Sequence, residues 1–311
     1  MSLKINFILL CISFLFTGCS SLSFPHAFPR LTLPSFPLSA PSAEERLATA
    51  ETLGRRAGFK HKTIDAAAFV LTSYVKIKEP GSPLHVYIEG DGYAWVTRNR
   101  VSADPTPRDP LALQLAVKDT APNVAYLARP CQYTPREKSP KCQTDYWTSK
   151  RFSEEVVSSM NQAVTQLLAE ANTSELHLVG YSGGGAVAAL ITAWRQDVKS
   201  LRTVGGNLDP NALNEYHKVS PLDVNSLNPI NVSEKIRLVP QNHFWGAEDN
   251  VVPKQILENY SGKAVPDGCV RLFEVRGADH AKGWSEIWPK LLTYPLPCAP
   301  EVKKIVNCSA T

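Results

Sequence analysis

A mainly parallel α/β fold, with helices on both faces of one central sheet, is what the sequence predicts, on three observations. Short apolar runs rich in β-branched and aromatic residues alternate with stretches of helical composition. Glycine-bearing turns join them. Polar and acidic residues gather where the apolar runs stop, and in parallel sheets the carboxyl ends of strands carry the reactive loops. The chain has 311 residues, 43% of them hydrophobic and 20% charged, which is the make-up of a globular protein with a sizeable core. Its net charge of +4, without a Lys/Arg stripe, gives no reason to expect a nucleic-acid partner. There is no internal repeat.

The elements follow in order. Glu44 to Arg56 reads as a helix ending near Gly58. Thr63 to Lys78 reads as one strand, and Leu84 to Ile88 as a short buried strand that stops at Glu89-Gly90-Asp91-Gly92. Asp109, as N-cap with Pro110 behind it, opens a helix to Lys118. Asn123 to Leu127 is a strand. Phe152 to Ala171 is an amphipathic helix opened by Ser153, with Glu154 and Glu155 in its first turn. Glu175 to Tyr181 is a strand, and a helix begins beyond Ser182. Strands are expected at Leu201 to Leu208, Lys235 to Trp245 and Val270 to Val275. Helices are expected at Pro253 to Tyr260 and Ala281 to Leu292, and the irregular stretch 211–232 reads as a small cap-like insertion.

The N-terminus divides into two further segments. Lys4 precedes an apolar run from Ile5 to Phe16, too short to span a bilayer and suited to a signal-peptide core. Leu15-Phe16-Thr17-Gly18-Cys19 resembles a bacterial lipobox. That resemblance implies that residues 1–18 are a lipoprotein signal peptide, that Cys19 is acylated, and that the bilayer of the cell envelope is a partner. Ser20 after the cysteine resembles the sorting pattern of the outer rather than the inner membrane. Residues 19–43 are rich in Pro and Ser and read as a tether, which as extended polyproline would reach about 70 Å. Residues 44–311 form the domain. The remaining cysteines fit an oxidising compartment: Cys131 and Cys142 bracket a polar loop and are expected to pair, and Cys269 has either Cys298 or Cys308 as partner. No cysteine or histidine spacing resembles a metal site, so no metal is expected.

The chemistry centres on Gly180-x-Ser182-x-Gly184, set between an apolar strand and a small-residue helix. A serine on so sharp a turn holds a strained backbone, and the residues two positions either side must lack side chains. The strand–turn–helix context, the chain order Ser182, Asp249, His280, and the closing sequences Gly246-x-x-Asp249 and Gly277-x-Asp279-His280 resemble the α/β-hydrolase superfamily over roughly residues 63–292. The resemblance implies a serine esterase- or lipase-like hydrolase of a small acyl substrate, without a cofactor. Ser182 would be the nucleophile, His280 its base and Asp249 the acid that orients the ring. Asp209 ends the strand after Ser182 and is the rival acid. The N–H groups of Gly183 and Asp91 would form the oxyanion hole. At that turn Glu89-Gly90 stands where many members carry His-Gly. His85, His177 and His243 read as core or rim residues; Arg129 and Arg151 read either as receivers of an anionic group or, the default for arginine, as surface salt-bridge partners. Tyr93, Trp95 and Trp147 suggest either an aromatic-lined cleft or, equally, ordinary packing. A contrasting reading is a non-catalytic ligand-binding lipoprotein on the same scaffold.

Overall fold

The computed structural model describes residues 41–264 and 268–298. The signal segment, Cys19, most of the tether and Cys308 lie outside them. Ser42 opens the first helix, α1 (Ala43–Arg56), with a capping box: the Glu45 N–H donates to Ser42 Oγ and the Ser42 N–H donates to Glu45 Oε2.

The stretch expected as one strand is two. β1 (Lys60–Ala66) and β2 (Phe69–Ile77) pair antiparallel, Ala66 opposite Phe69, around a turn in which Ala67 takes φ 55°. No Gly, Pro or Asn marks that turn, so the sequence gives no sign of it. β3 (Leu84–Ile88) leads to the glycine turn and then to a small hairpin, β4 (Trp95–Thr97) with β5 (Arg100–Val101). α2 (Leu111–Lys118) has Pro110 at its cap position, while Asp109 accepts a hydrogen bond from the Gln114 side chain instead of capping the helix. β6 (Asn123–Leu127) precedes α3 (Glu154–Glu170), which Ser153 caps as expected. β7 (Leu176–Tyr181), α4 (Gly183–Trp194), β8 (Val198–Val204) and α5 (Pro210–Tyr216) follow. β9 begins only at Gln241 (Gln241–Gly246), because residues 232–239 coil into helical turns in which the Ile236 N–H bonds the Val232 carbonyl. After α6 (Lys254–Ala264) and β10 (Val270–Val275), the last helix, α7 (Trp288–Leu292), is shorter than expected. The Asp279 carboxylate takes the N–H groups of Ala281 and Lys282, and Gly283 sits at φ 84°, so this segment turns before it can coil.

The eight strands of the main sheet run in the order β1-β2-β6-β3-β7-β8-β9-β10. β1 and β2 are the antiparallel edge; β6 through β10 are mutually parallel. α3, α4 and α6 cover one face through Val156, Met160, Val187, Ile191 and Ile256. α1, α2 and α7 cover the other through Ala50, Leu111, Leu115, Trp288 and Leu291. α4 is buried from Gly183 to Ala193, which is why its sequence is apolar all round. The Trp288 indole N–H donates to Tyr87 Oη, and Tyr87 Oη–H donates to Asp119 Oδ2, tying the C-terminal helix to central strand β3. Cys131 is bonded to Cys142 and Cys269 to Cys298. The stretch 211–232 crosses back over the segment before α3: the Asp223 N–H bonds the Ser149 carbonyl and the Leu227 N–H bonds the Phe152 carbonyl. Among the described residues no helix is long and apolar enough to cross a membrane.

Candidate active site

Ser182 follows β7, in the middle of the parallel sheet, with φ 51° and ψ −121°. The surroundings explain why a residue with a side chain tolerates that backbone. The Ser182 N–H donates to the Val204 carbonyl at 3.0 Å, and the Ser182 carbonyl accepts from Gly185 and Asn207, each at 2.9 Å. A Cβ on Gly180 would lie 2.4 Å from the Gly184 carbonyl oxygen, and one on Gly184 would lie 2.3 Å from that of Ile88. Both glycines of the motif are therefore dictated by close backbone approach.

His280 and Asp249 come to the same edge from the ends of β10 and β9. His280 Nε2 is 3.0 Å from Ser182 Oγ, and His280 Nδ1 is 2.8 Å from Asp249 Oδ2. The Asp249 side chain is wholly buried, and its Oδ1 accepts from the N–H groups of Val251 and Val252, each at 2.8 Å. With Nδ1–H donating to the carboxylate, Nε2 is left to accept the Ser182 hydroxyl proton. The two loops are laced together: the Glu248 N–H donates to the Ala278 carbonyl, and a Cβ on Gly246 would lie 2.3 Å from that same oxygen. The Trp284 indole N–H holds the Asp279 carbonyl at 2.8 Å.

The rival acid sits elsewhere in the hydrogen-bond network. Asp209 caps α5 by accepting from the Ala212 N–H, and its Oδ1 also takes the Asn228 side-chain N–H at 2.8 Å. His85 is engaged with Asp119, His177 with Ser200, and buried His243 with Thr203 and Gln241. Burial pulls the His243 imidazole down to about 3, so it stays neutral. His217 reaches the Val251 carbonyl at 2.7 Å, tying the end of α5 to the loop after Asp249.

The turn after β3 lies against Ser182. A Cβ on Gly90 would come 3.2 Å from Ser182 Cβ, and one on Gly183 would come 2.0 Å from Asp91 Oδ1. Among the described residues, no acceptor takes the N–H of Gly183 or of Asp91. Beneath the turn sits Glu89, which is 1% exposed. Its Oε1 accepts from the N–H groups of Gly90 and Ala112, while Oε2 has no hydrogen-bond partner. Burial pushes its carboxyl up to about 7, against the opposing pull of the Gly90 and Ala112 N–H groups and of the nearby Tyr126 hydroxyl. The turn is held further by Gln132, whose Nε2 donates to the Gly90 carbonyl at 2.9 Å.

The structure corrects the sequence reading at three points. Arg129 and Arg151 are not surface residues: their side chains are 4% and 15% exposed, and both contact Asp91. Trp147 is buried and donates to the Ser102 carbonyl, so it is packing and not a cleft wall; the half-buried Tyr93 ring is flanked by Arg46 and Arg108, and Trp95 is exposed. Gly205 is a site position that the serine motif alone does not mark: it takes φ 52°, and a Cβ there would press within 3.2 Å of both Asp249 Oδ2 and His280 Nδ1. The Gly205-Gly206 pair ending β8 was the available signal. A hollow of about 450 Å³ lined by Lys60, Lys62, Lys76 and Lys78 opens at the opposite end of the sheet and does not involve these groups.

Two outcomes are expected. Asp249→Asn lowers kcat by about 10⁴ with the fold retained, whereas Asp209→Ala mainly costs about 1–2 kcal/mol of stability through the lost cap; steady-state assays beside urea unfolding separate the two. Glu89, raised in the folded chain above its ordinary value of 4.5, keeps a proton that the unfolded chain has already released, so its contribution to stability falls as pH rises from 4.5 to about 7. Glu89→Gln, unfolded in urea across that range, gains on the wild type by about 3 kcal/mol; a constant gap would show that folding leaves the Glu89 carboxyl at its ordinary value.

No family model matches the sequence, and no curated protein matches it. Solved structures do. Est1E from Butyrivibrio proteoclasticus superposes with a TM-score of 0.53 at 14% identity, covering 75% of this chain and 95% of that one. The Pyrococcus furiosus esterase Pf2001 gives 0.54 at 12% identity, covering 76% and 92%. The Pyrococcus horikoshii acylaminoacyl peptidase gives 0.53 at 14% identity, covering 74% of this chain and 38% of that one. The chain has the α/β-hydrolase fold.

Proposed function

We propose that this chain is a serine hydrolase that cleaves ester or related acyl bonds through Ser182, His280 and Asp249. The observation that carries the proposal is the unbroken line of hydrogen-bond distances, 3.0 Å from Ser182 Oγ to His280 Nε2 and 2.8 Å from His280 Nδ1 to Asp249 Oδ2. A serine hydroxyl is a weak nucleophile until a base removes its proton in the transition state. Here Ser182 Oγ attacks the acyl carbon while His280 Nε2 accepts the hydroxyl proton. His280 then delivers that proton to the leaving oxygen or nitrogen. Water, deprotonated by the same imidazole, attacks the acyl-enzyme, and the imidazolium returns that proton to Ser182 Oγ as the acid leaves. Asp249 holds the tautomer and offsets the charge of the imidazolium. The Gly183 and Asp91 N–H groups, free of protein acceptors, are the donors for the oxyanion. Neighbours of the same fold include esterases and a peptidase, which supports hydrolysis and leaves the bond type to assay.

The N-terminal sequence supports a second part of the proposal, that the domain is carried on the bacterial envelope, outer rather than inner membrane, through acylated Cys19 and the Pro/Ser-rich tether.

A neutral fluorophosphonate probe is expected to label Ser182, and Ser182→Ala to lose labelling and at least about 10³ of ester turnover while keeping its circular dichroism. A folded wild type that neither labels nor turns over esters would favour the binding-protein reading. Cys19→Ser is expected to move the protein from the membrane to the soluble fraction of fractionated cells; retention in the membrane fraction would remove the anchor.

A further inference from the structure

The floor beside Ser182 is charged. Asp91 Oδ1 lies where a side chain on Gly183 would be, so a carboxylate directly flanks the first residue after the serine. Arg129 Nη1 approaches Asp91 Oδ1 at 3.2 Å, and Arg151 Nε approaches Asp91 Oδ2 at 3.1 Å. Both guanidinium groups also stand over the buried Phe152 ring, at 5.2 and 5.1 Å from its centroid.

One arginine would neutralise Asp91. Two leave a surplus positive charge, met otherwise by neutral acceptors: Arg129 Nη2 donates to the Arg151 carbonyl and Arg151 Nη1 to the Thr148 carbonyl. The Nε atoms of both arginines are buried without a hydrogen-bond acceptor, since the approach of Arg151 Nε to Asp91 is off-line. Arg151 Nη2 has only a loose contact, 3.5 Å from Asn214 Oδ1. Burial is the main influence on Arg129 and lowers its pKa; Asp91 opposes this, and Arg151 adds to it. A buried cation with spare donors costs free energy that an incoming anion would recover. Arg151 and Asp91 keep 15% and 27% of their side chains exposed, so this charge is reachable from solvent, whereas Arg129 is covered.

We propose that the Ser182 site selects acyl groups carrying a second carboxylate, such as half-esters of short dicarboxylic acids, with Arg151 receiving that carboxylate and Arg129 holding Asp91 behind it. The proposal rests on the hydrolase reading and adds the substrate class. An apolar acyl chain laid on this floor would strip water from the guanidinium groups without replacing its hydrogen bonds. A cationic chain would find Asp91 already paired with two arginines that outnumber it. A carboxylate pairs with a guanidinium in a geometry that both groups favour. Asp91, which Arg151 touches, lies against Gly183, the residue after Ser182, and this proximity favours short diacids over long ones.

The test compares monoethyl succinate and monoethyl glutarate with ethyl butyrate and ethyl pentanoate, matched in acyl length, by pH-stat on the full chain. Expected is a preference in kcat/KM of about tenfold or more for the half-esters, carried mainly by KM. Arg151→Met is expected to bring the ratio towards one, and Arg151→Lys to restore part of it, with fluorophosphonate labelling of Ser182 confirming that each variant is folded. Labelling with equal or greater preference for the neutral esters, or a ratio that Arg151→Met leaves alone, overturns the anionic subsite and leaves the hydrolase reading standing. Absence of both labelling and turnover overturns the hydrolase reading and this inference with it. Preference for a glycine ethyl ester over ethyl butyrate would assign the floor to Asp91 and a cation instead.

Discussion

The seating of the Ser182 turn on the end of β3 is the contact on which the rest of the site depends. Gly184 lies so close to the carbonyl oxygens of Ile88 and Glu89 that no side chain fits between them. That approach lets the Glu89–Gly92 turn lie beside Ser182, and it places the Gly183 and Asp91 N–H groups around the same residue. The unfavourable backbone of Ser182 is held by bonds on the far side, to the carbonyl of Val204 and the N–H of Asn207. Strain at one residue is thus distributed between the ends of β3 and β8.

A second constraint sets the other half of the site. Asp249 and His280 lie in the loops that follow adjacent parallel strands, β9 and β10, and a hydrogen bond from the Glu248 N–H to the Ala278 carbonyl joins those loops. The imidazole is held by the Asp249 carboxylate on one side and by Ser182 Oγ on the other, with the Tyr181 ring against it. Gly205 completes the arrangement, since any side chain there would press on both the ring and the acid. Preorganisation of this kind means that the polar groups need little rearrangement when charge develops.

The site carries a thermodynamic cost. Glu89 is buried with one carboxyl oxygen unpartnered, and Arg129 is buried with an unpartnered Nε. Such groups are expensive where packing alone is at stake, and they gather here around the turn that faces Ser182. Interlocked aromatics elsewhere offset them: fully buried Trp284 and Trp288 fasten the C-terminal segment, and the Trp288–Tyr87–Asp119 chain fixes it to the central strand. Polar expense at one edge of the sheet is thus matched by dense packing on its face.

The sequence by itself determined the alternation of strands and helices, the glycines around Ser182, the Ser153 cap and the candidates Asp249 and His280. These are local signals, written in periodicity, in turn chemistry and in residues that end strands. It did not determine where Ala67 turns the chain, because no turn residue marks it, nor that the last helix starts only at Trp288, because Asp279 takes up the N–H groups just beyond it. Only the tertiary structure decided between Asp249 and Asp209 as the partner of His280. Both end strands, but one meets the imidazole and the other caps a helix, and that choice depends on which loops the sheet brings together. The same is true of Arg129 and Arg151, because burial belongs to the folded assembly and leaves no mark on the residue type.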